Sequence, residues 1–164
     1  MRAPTTHFPR PEHDHARCVV TALRRAEVLC RQRGARLTPQ RRRVLELVWG
    51  SHEPIGAYAV LDLMASGTAR PAPITVYRAL DFLQAHGLIH RVASLNAYVG
   101  CAEPGSGHGS QFLICRGCRA VAEIHDDRLD RAIEATAAGG GFRLTERRLE
   151  LEGWCRHCRD AHDG

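Results

Sequence analysis

No lysine occurs in this sequence: all 23 basic residues are arginine. Contact with a polyanion therefore falls to guanidinium groups, which fork around phosphate oxygens. Also missing is any apolar run near the roughly 20 residues that cross a bilayer, which excludes an integral helical membrane protein. Residues 1–15 carry Arg2, His7, Arg10, Glu12, His13 and Asp14 in place of the apolar middle of a secretory signal, so a cytoplasmic location is expected. No repeat of solenoid length is present. Without an export signal, seven cysteines point away from a disulfide framework and toward metal binding or thiol chemistry. Neither H-E-x-x-H nor the deaminase pairing of H-x-E with P-C-x-x-C occurs, which sets a zinc-dependent enzyme behind other readings.

What is present fits one ordinary domain or two small ones: 164 residues, 44% hydrophobic and 25% charged. The net charge of +5 is uneven, since residues 1–90 hold 13 Arg against 7 acidic side chains and the rest hold 10 against 11. The basic half is the one suited to a polyanion; the plainer reading is a solvated surface. Residues 1–15, rich in Pro and His and poor in apolar side chains, read as a mobile arm. Apolar spacing predicts helices over 16–33 (Val19, Val20, Leu23, Ala26, Leu29), 39–49 behind a Thr38 cap, 56–65 and 74–86. Two β-like runs follow at 88–93 and 97–101, with a turn at 94–96. Compact helices ending in a small hairpin predict a winged helix-turn-helix over 16–102, and the Pro/Gly/Ser segment 103–109 suits a hinge.

The remainder, 110–164, reads as a small second module, so the fold class is α+β. Strands are expected at 111–115, 120–124 and 142–151, with a helix over 126–138 that places Leu129, Ile133 and Ala137 on one face. A module this small needs a staple or a partner. The staple is legible in two CxxC turns, Cys115–Cys118 and Cys155–Cys158, separated by 36 residues. Each turn presents two thiolates on one side of a bend, and two turns complete a closed tetrahedral zinc site of the structural kind.

Four further donors flank the hinge: His90 and Cys101 on the hairpin, His108 at the hinge's end and Glu123 on a strand beyond. One sulfur, two nitrogens and one oxygen suit zinc. Each also has an ordinary reading: His90 as a surface strand residue, Cys101 as a small buried hydrophobe, Glu123 as a solvated edge charge. Cys18 and Cys30 read as buried small hydrophobes on the first helix.

Taken together, RLTPQR (36–41), TVYRALDFL (75–83), LIHRV (88–92), NAYVGC (96–101) and both CxxC pairs resemble the ferric uptake regulator superfamily, and within it the zinc uptake regulator branch. The resemblance spans about residues 18–160. It implies an N-terminal winged helix-turn-helix followed by a small α/β dimerisation domain. It also implies two zinc ions per chain, a structural one at Cys115, Cys118, Cys155 and Cys158 and a regulatory one at His90, Cys101, His108 and Glu123. The function implied is a zinc-responsive transcriptional repressor, a homodimer on palindromic double-stranded DNA operators of zinc-uptake genes. Iron- and peroxide-sensing members carry an HHxH-type stretch before the first CxxC; here residues 105–111 hold His108 alone. An iron-responsive regulator is the nearer alternative, and a zinc enzyme the more distant one.

The helix over 74–86 is the expected recognition helix, with Val76, Leu80 and Leu83 facing the core. Thr75, Tyr77 and Arg78 then lie near its N-terminus, with Arg78 suited to bidentate contact with guanine O6 and N7. Tyr77 is equally open to a half-buried role. The resemblance supports Tyr58 as a base-methyl or phosphate contact. Arg36 and Arg41, beside the Thr38 cap, suit phosphates.

Overall fold

A computed structural model describes residues 8, 14–50, 52–65, 71–105 and 110–161. Most of the arm, residues 106–109 of the hinge and His108 lie outside the described residues. The chain divides into two compact units, with the division inside the 103–109 segment: one lies within residues 9–107, the other within 108–164 together with residue 8. No helix among the described residues is long and apolar enough to cross a membrane.

In the first unit, helix α1 runs His15–Gln32. Asp14 caps it, accepting from the N–H groups of Ala16 at 3.1 Å and Arg17 at 3.4 Å. Gly34, at φ 64°, turns the chain out of the helix, and the Ala35 N–H donates back to the Cys30 carbonyl at 2.8 Å. Thr38 and Pro39 open α2 (Pro39–Val48), with the Thr38 hydroxyl taking the Arg41 N–H at 3.4 Å. Helix α3 is Ala57–Met64 and α4 is Pro73–Ala85, the latter also beginning on proline. Their apolar faces meet on one core of Leu45, Val48, Val60, Leu80 and Leu83, all buried. From α1, Leu23, Ala26 and Cys30 reach that core, while Val20 faces out. Cys30 is as buried as expected, but Cys18 is only half-buried. It sits four residues before Ala22, on the flank of α1 beside the Leu23 and Ala26 stripe.

The wing is a hairpin of β1 (Ile89–Val92) and β2 (Ala97–Gly100), antiparallel with Ile89 opposite Gly100. Asn96, at φ 46°, makes the turn, and its side chain accepts from Arg91 at 2.8 Å. A third piece went unseen in the sequence: Ile55 exchanges both backbone hydrogen bonds with Tyr98, at 2.9 Å each. A single bridging residue leaves no period to read.

In the second unit, β3 (Ser110–Cys115) is the central strand of a three-stranded sheet in the order β4-β3-β5. Strand β4 (Val121–Glu123) pairs with it antiparallel, and β5 (Arg148–Gly153) pairs parallel after the crossover through α5 (Asp127–Gly139). Asp126 caps α5 by accepting from the Arg128 N–H at 2.8 Å. The strand expected over 142–151 is displaced to Arg148–Gly153. The alternation of Phe142 and Leu144 belongs to an unpaired stretch, and Phe142 is 66% exposed. The reason is register: β3 ends at Cys115, which pairs with Gly153, so the two CxxC turns leave the sheet side by side. Leu129, Ile133 and Ala137 are each half-buried, and no residue of α5 is fully buried.

Candidate metal centres and nucleic-acid interface

Register brings the two CxxC turns together. The sulfurs of Cys115, Cys118, Cys155 and Cys158 all lie within 4.8 Å of one another, and Cys118 Sγ is 3.8 Å from Cys155 Sγ. A tetrahedron with zinc–sulfur arms of about 2.3 Å has edges of about 3.8 Å, so this donor set fits zinc in size as well as in kind. The turns are tight for a reason. A side chain at Gly117 would place its Cβ 2.9 Å from Cys158 Cβ and 3.2 Å from the Trp154 ring, leaving no room for any residue but glycine. Arg119, at φ 59°, then returns the chain to β4 with its N–H on the Cys115 carbonyl at 3.0 Å.

Electrostatics in the cluster follow from crowding. Burial raises the Cys115 thiol, but the N–H groups of Cys155, Cys118 and Gly117 outweigh it and bring it down to about 6. Cys158 is pushed up to about 12, first by its hydrogen bond with Cys155 and then by burial. Burial lifts Cys118 as well. One thiol ready to ionise beside neighbours that resist is what close sulfurs do until a cation shares their charge.

Of the four donors expected around the hinge, two stand together in the first unit. His90, half-buried on β1, and Cys101, 3% exposed just after β2, bring a ring nitrogen and a sulfur within 4.8 Å. The Cys101 N–H donates to the Leu88 carbonyl at 3.1 Å, which extends the hairpin by one rung and fixes Cys101 beside His90. A third residue, which the sequence did not single out, sets this position. A Cβ on Gly100 would overlap the Trp49 indole, so Trp49 packs directly on the strand one residue before Cys101. Only a glycine admits that approach. Glu123 closes β4 in the second unit, opposite Phe112, with its carboxylate 3.9 Å from His125 Nε2. His108 lies outside the described residues.

The α4 N-terminus has the predicted division of faces. Val76, Leu80 and Leu83 are buried, Thr75 is half-buried, and Arg78 is exposed. Tyr77 is 38% exposed, and burial followed by interaction with Tyr58 pushes its phenol up. Tyr58, at the start of α3, is 73% exposed. Both tyrosines and Arg78 thus share the open side of the helix-turn-helix. The two arginines beside the Thr38 cap differ. Arg36 is exposed, whereas Arg41 is half-buried, donates to the Arg36 carbonyl at 2.7 Å and stacks 3.6 Å from the centroid of Phe82. Its guanidinium braces α2 against α4.

The chain is similar to known proteins over most of its length. The description "Ferric uptake regulator family" matches residues 32–152. The zinc uptake regulation protein of Escherichia coli (strain K12) is 41% identical over 139 residues, covering 83% of this chain and 80% of that protein. A structure described as a zinc uptake regulator complexed with zinc and DNA superposes with a TM-score of 0.81 at 37% identity, over 89% of this chain and 98% of the other. Holo XcZur superposes at 0.78 with 40% identity, over 85% and 98%.

Proposed function

The chain belongs to the ferric uptake regulator family, and on that premise we propose that it is a zinc-responsive transcriptional repressor acting as a homodimer on double-stranded DNA in the cytoplasm. The family is one of metal-responsive regulators and not of enzymes. The observation that carries the reading is the pairing of His90 with Cys101 on the wing, joined directly to the helix that presents Arg78. Zinc suits that pair, because imidazole and thiolate are both good donors for it.

In this proposal each chain holds two zinc ions. Cys115, Cys118, Cys155 and Cys158 hold the structural one, and His90, Cys101, His108 and Glu123 hold the regulatory one. When bound, the regulatory zinc supplies a bridge between donors that belong to separately folded units. His90 and Cys101 anchor one side of that bridge to the wing, and the wing is continuous with α4. Domains 16–102 and 110–164 are thereby limited to one relative orientation, with 103–109 as the hinge. In a dimer this sets the separation of two α4 helices, which must match half-sites about one helical turn apart. Arg78 reads guanine, Tyr77, Thr75 and Tyr58 contact neighbouring bases or phosphates, and Arg36 holds phosphate. Arg41 contributes chiefly by holding Arg36 and α4 in place. Linkage makes the effect mutual: zinc tightens DNA binding, and DNA tightens zinc.

The test is a mobility-shift titration on operator DNA with protein whose four-cysteine site is loaded. Binding is expected only as the second zinc equivalent is added, and Fe(II) at matched free concentration is expected to restore it poorly. Equal operator binding before and after the second equivalent refutes the proposal.

A further inference from the structure

We propose that the winged-helix unit also carries a small-molecule site, a cavity between α1, α2 and the wing that takes a monocarboxylate with a short apolar tail. The cavity has a volume of about 340 Å³, within the range of ligand sites in proteins. Its floor is apolar, formed by Ala22, Leu45, Trp49 and Leu88. Its mouth is cationic. Arg17, Thr21 and Arg25 succeed one another at four-residue steps along α1, so they stand in one column at the opening. Arg25 is held there by donating to the Ala102 carbonyl at 2.9 Å, and a guanidinium with five N–H donors keeps others for a ligand. Among the described residues lining the cavity there is no carboxylate to neutralise the two arginines.

That division of chemistry selects the occupant. An anion alone gains nothing from the floor, and a neutral apolar molecule gains nothing from the mouth. A carboxylate headgroup meets the two guanidinium groups in the paired geometry that suits them, and its tail covers Trp49 and Leu45. The same wall includes Cys101, and Trp49 packs on Gly100 immediately before it. An occupant therefore touches Cys101 and the Trp49 ring packed beside it, and filling the cavity is linked to metal binding there. This linkage rests on the reading of Cys101 as a regulatory metal ligand; the binding itself does not.

Calorimetry on the full zinc-loaded chain, with octanoate as the probe, tests the site against 1-octanol and acetate. One saturable octanoate per chain is expected, with each control at least about tenfold weaker, since a charge-assisted hydrogen bond and a buried tail each contribute on that scale. Arg17→Gln is expected to weaken octanoate about tenfold, and Ala22→Leu to abolish binding by filling the floor, both at unchanged thermal midpoint. Octanoate and octanol binding alike, no saturable binding, or full affinity in Ala22→Leu overturns the site. Competition with a chelator, with and without saturating octanoate, then reads the linkage. A shift of about threefold or more in the affinity of the second zinc is expected, and bound octanoate with no shift overturns the linkage. If zinc fails to restore operator binding without octanoate, the regulatory reading fails instead, and calorimetry still decides the cavity.

Discussion

The two units of this chain exclude water by different means. Within residues 9–107, four helices and the wing converge on one apolar core, with Leu45, Val48, Val60, Leu80, Leu83 and Ile89 all essentially inaccessible. Among the described residues of 108–164, the sheet of β3, β4 and β5 with α5 beside it buries Phe112, Ile114, Ala122 and Ile124, and α5 itself contributes no fully buried side chain. Of the other buried positions in that unit, two are cysteines, Cys115 and Cys155, and one is Gln111, which donates to Asp130. Apolar burial at about 25 cal/mol per Å² does not offset chain entropy in so small a module, so it needs another source of folding energy. In the proposal above, a zinc held by the four sulfurs gathered at the end of one sheet is that source.

The two units should differ most when metal is removed. Stripping the Cys₄ site, or Cys115→Ser, is expected to remove folding energy on the scale of about 10–16 kcal/mol found for structural zinc. Hydrogen exchange should then show β3, β4, β5 and α5 unprotected while α1–α4 keep their protection; uniform protection loss across both units contradicts the division. The reverse experiment is Leu80→Ala, which opens a cavity in the first unit and is expected to cost about 2–5 kcal/mol there. Thiolate–cobalt absorption in the cobalt-substituted Cys₄ site should be unchanged by it. A smaller effect is expected from Arg78→Ala, about 1–3 kcal/mol on the specific operator with flattened base preference and no change in melting. Gly100→Ala forces Trp49 off the wing at an overpacking cost of about 1–3 kcal/mol, and its decisive readout is the second zinc equivalent. Loss of zinc-dependent operator binding with the helices still protected is expected; a normal zinc response shows that Trp49 does not position Cys101.

Much of this architecture is legible in the residues because local rules and tertiary packing agree. Thr38 and Pro39 open α2, Val76, Leu80 and Leu83 face the core, and the CxxC spacing gathers its four sulfurs. What escapes the sequence depends on partners distant in the chain. Strand β5 is displaced because its register is set by β3, not by the alternation at Phe142 and Leu144. Trp49 and Gly100 are ordinary residues until the fold stacks one on the other. Arg41 reads as one more phosphate contact, and its position over Phe82 appears only in the fold. Cys18 reads as core by its composition, yet its face of α1 borders a cavity.

The parallel pairing of β3 with β5 has a consequence for the chain during its synthesis. The first unit is complete in sequence once residue 107 has been made, and most of its contacts join neighbouring elements, so it can fold while the ribosome is still working. The second unit cannot. Its central strand has no parallel neighbour until Arg148–Gly153 emerges, and its first two cysteines have no counterparts until Cys155 and Cys158 follow. A nascent chain thus passes through a stage with a finished reading head and an unclosed clasp, and on the proposed role of its four sulfurs a metal can lock the clasp only at the end.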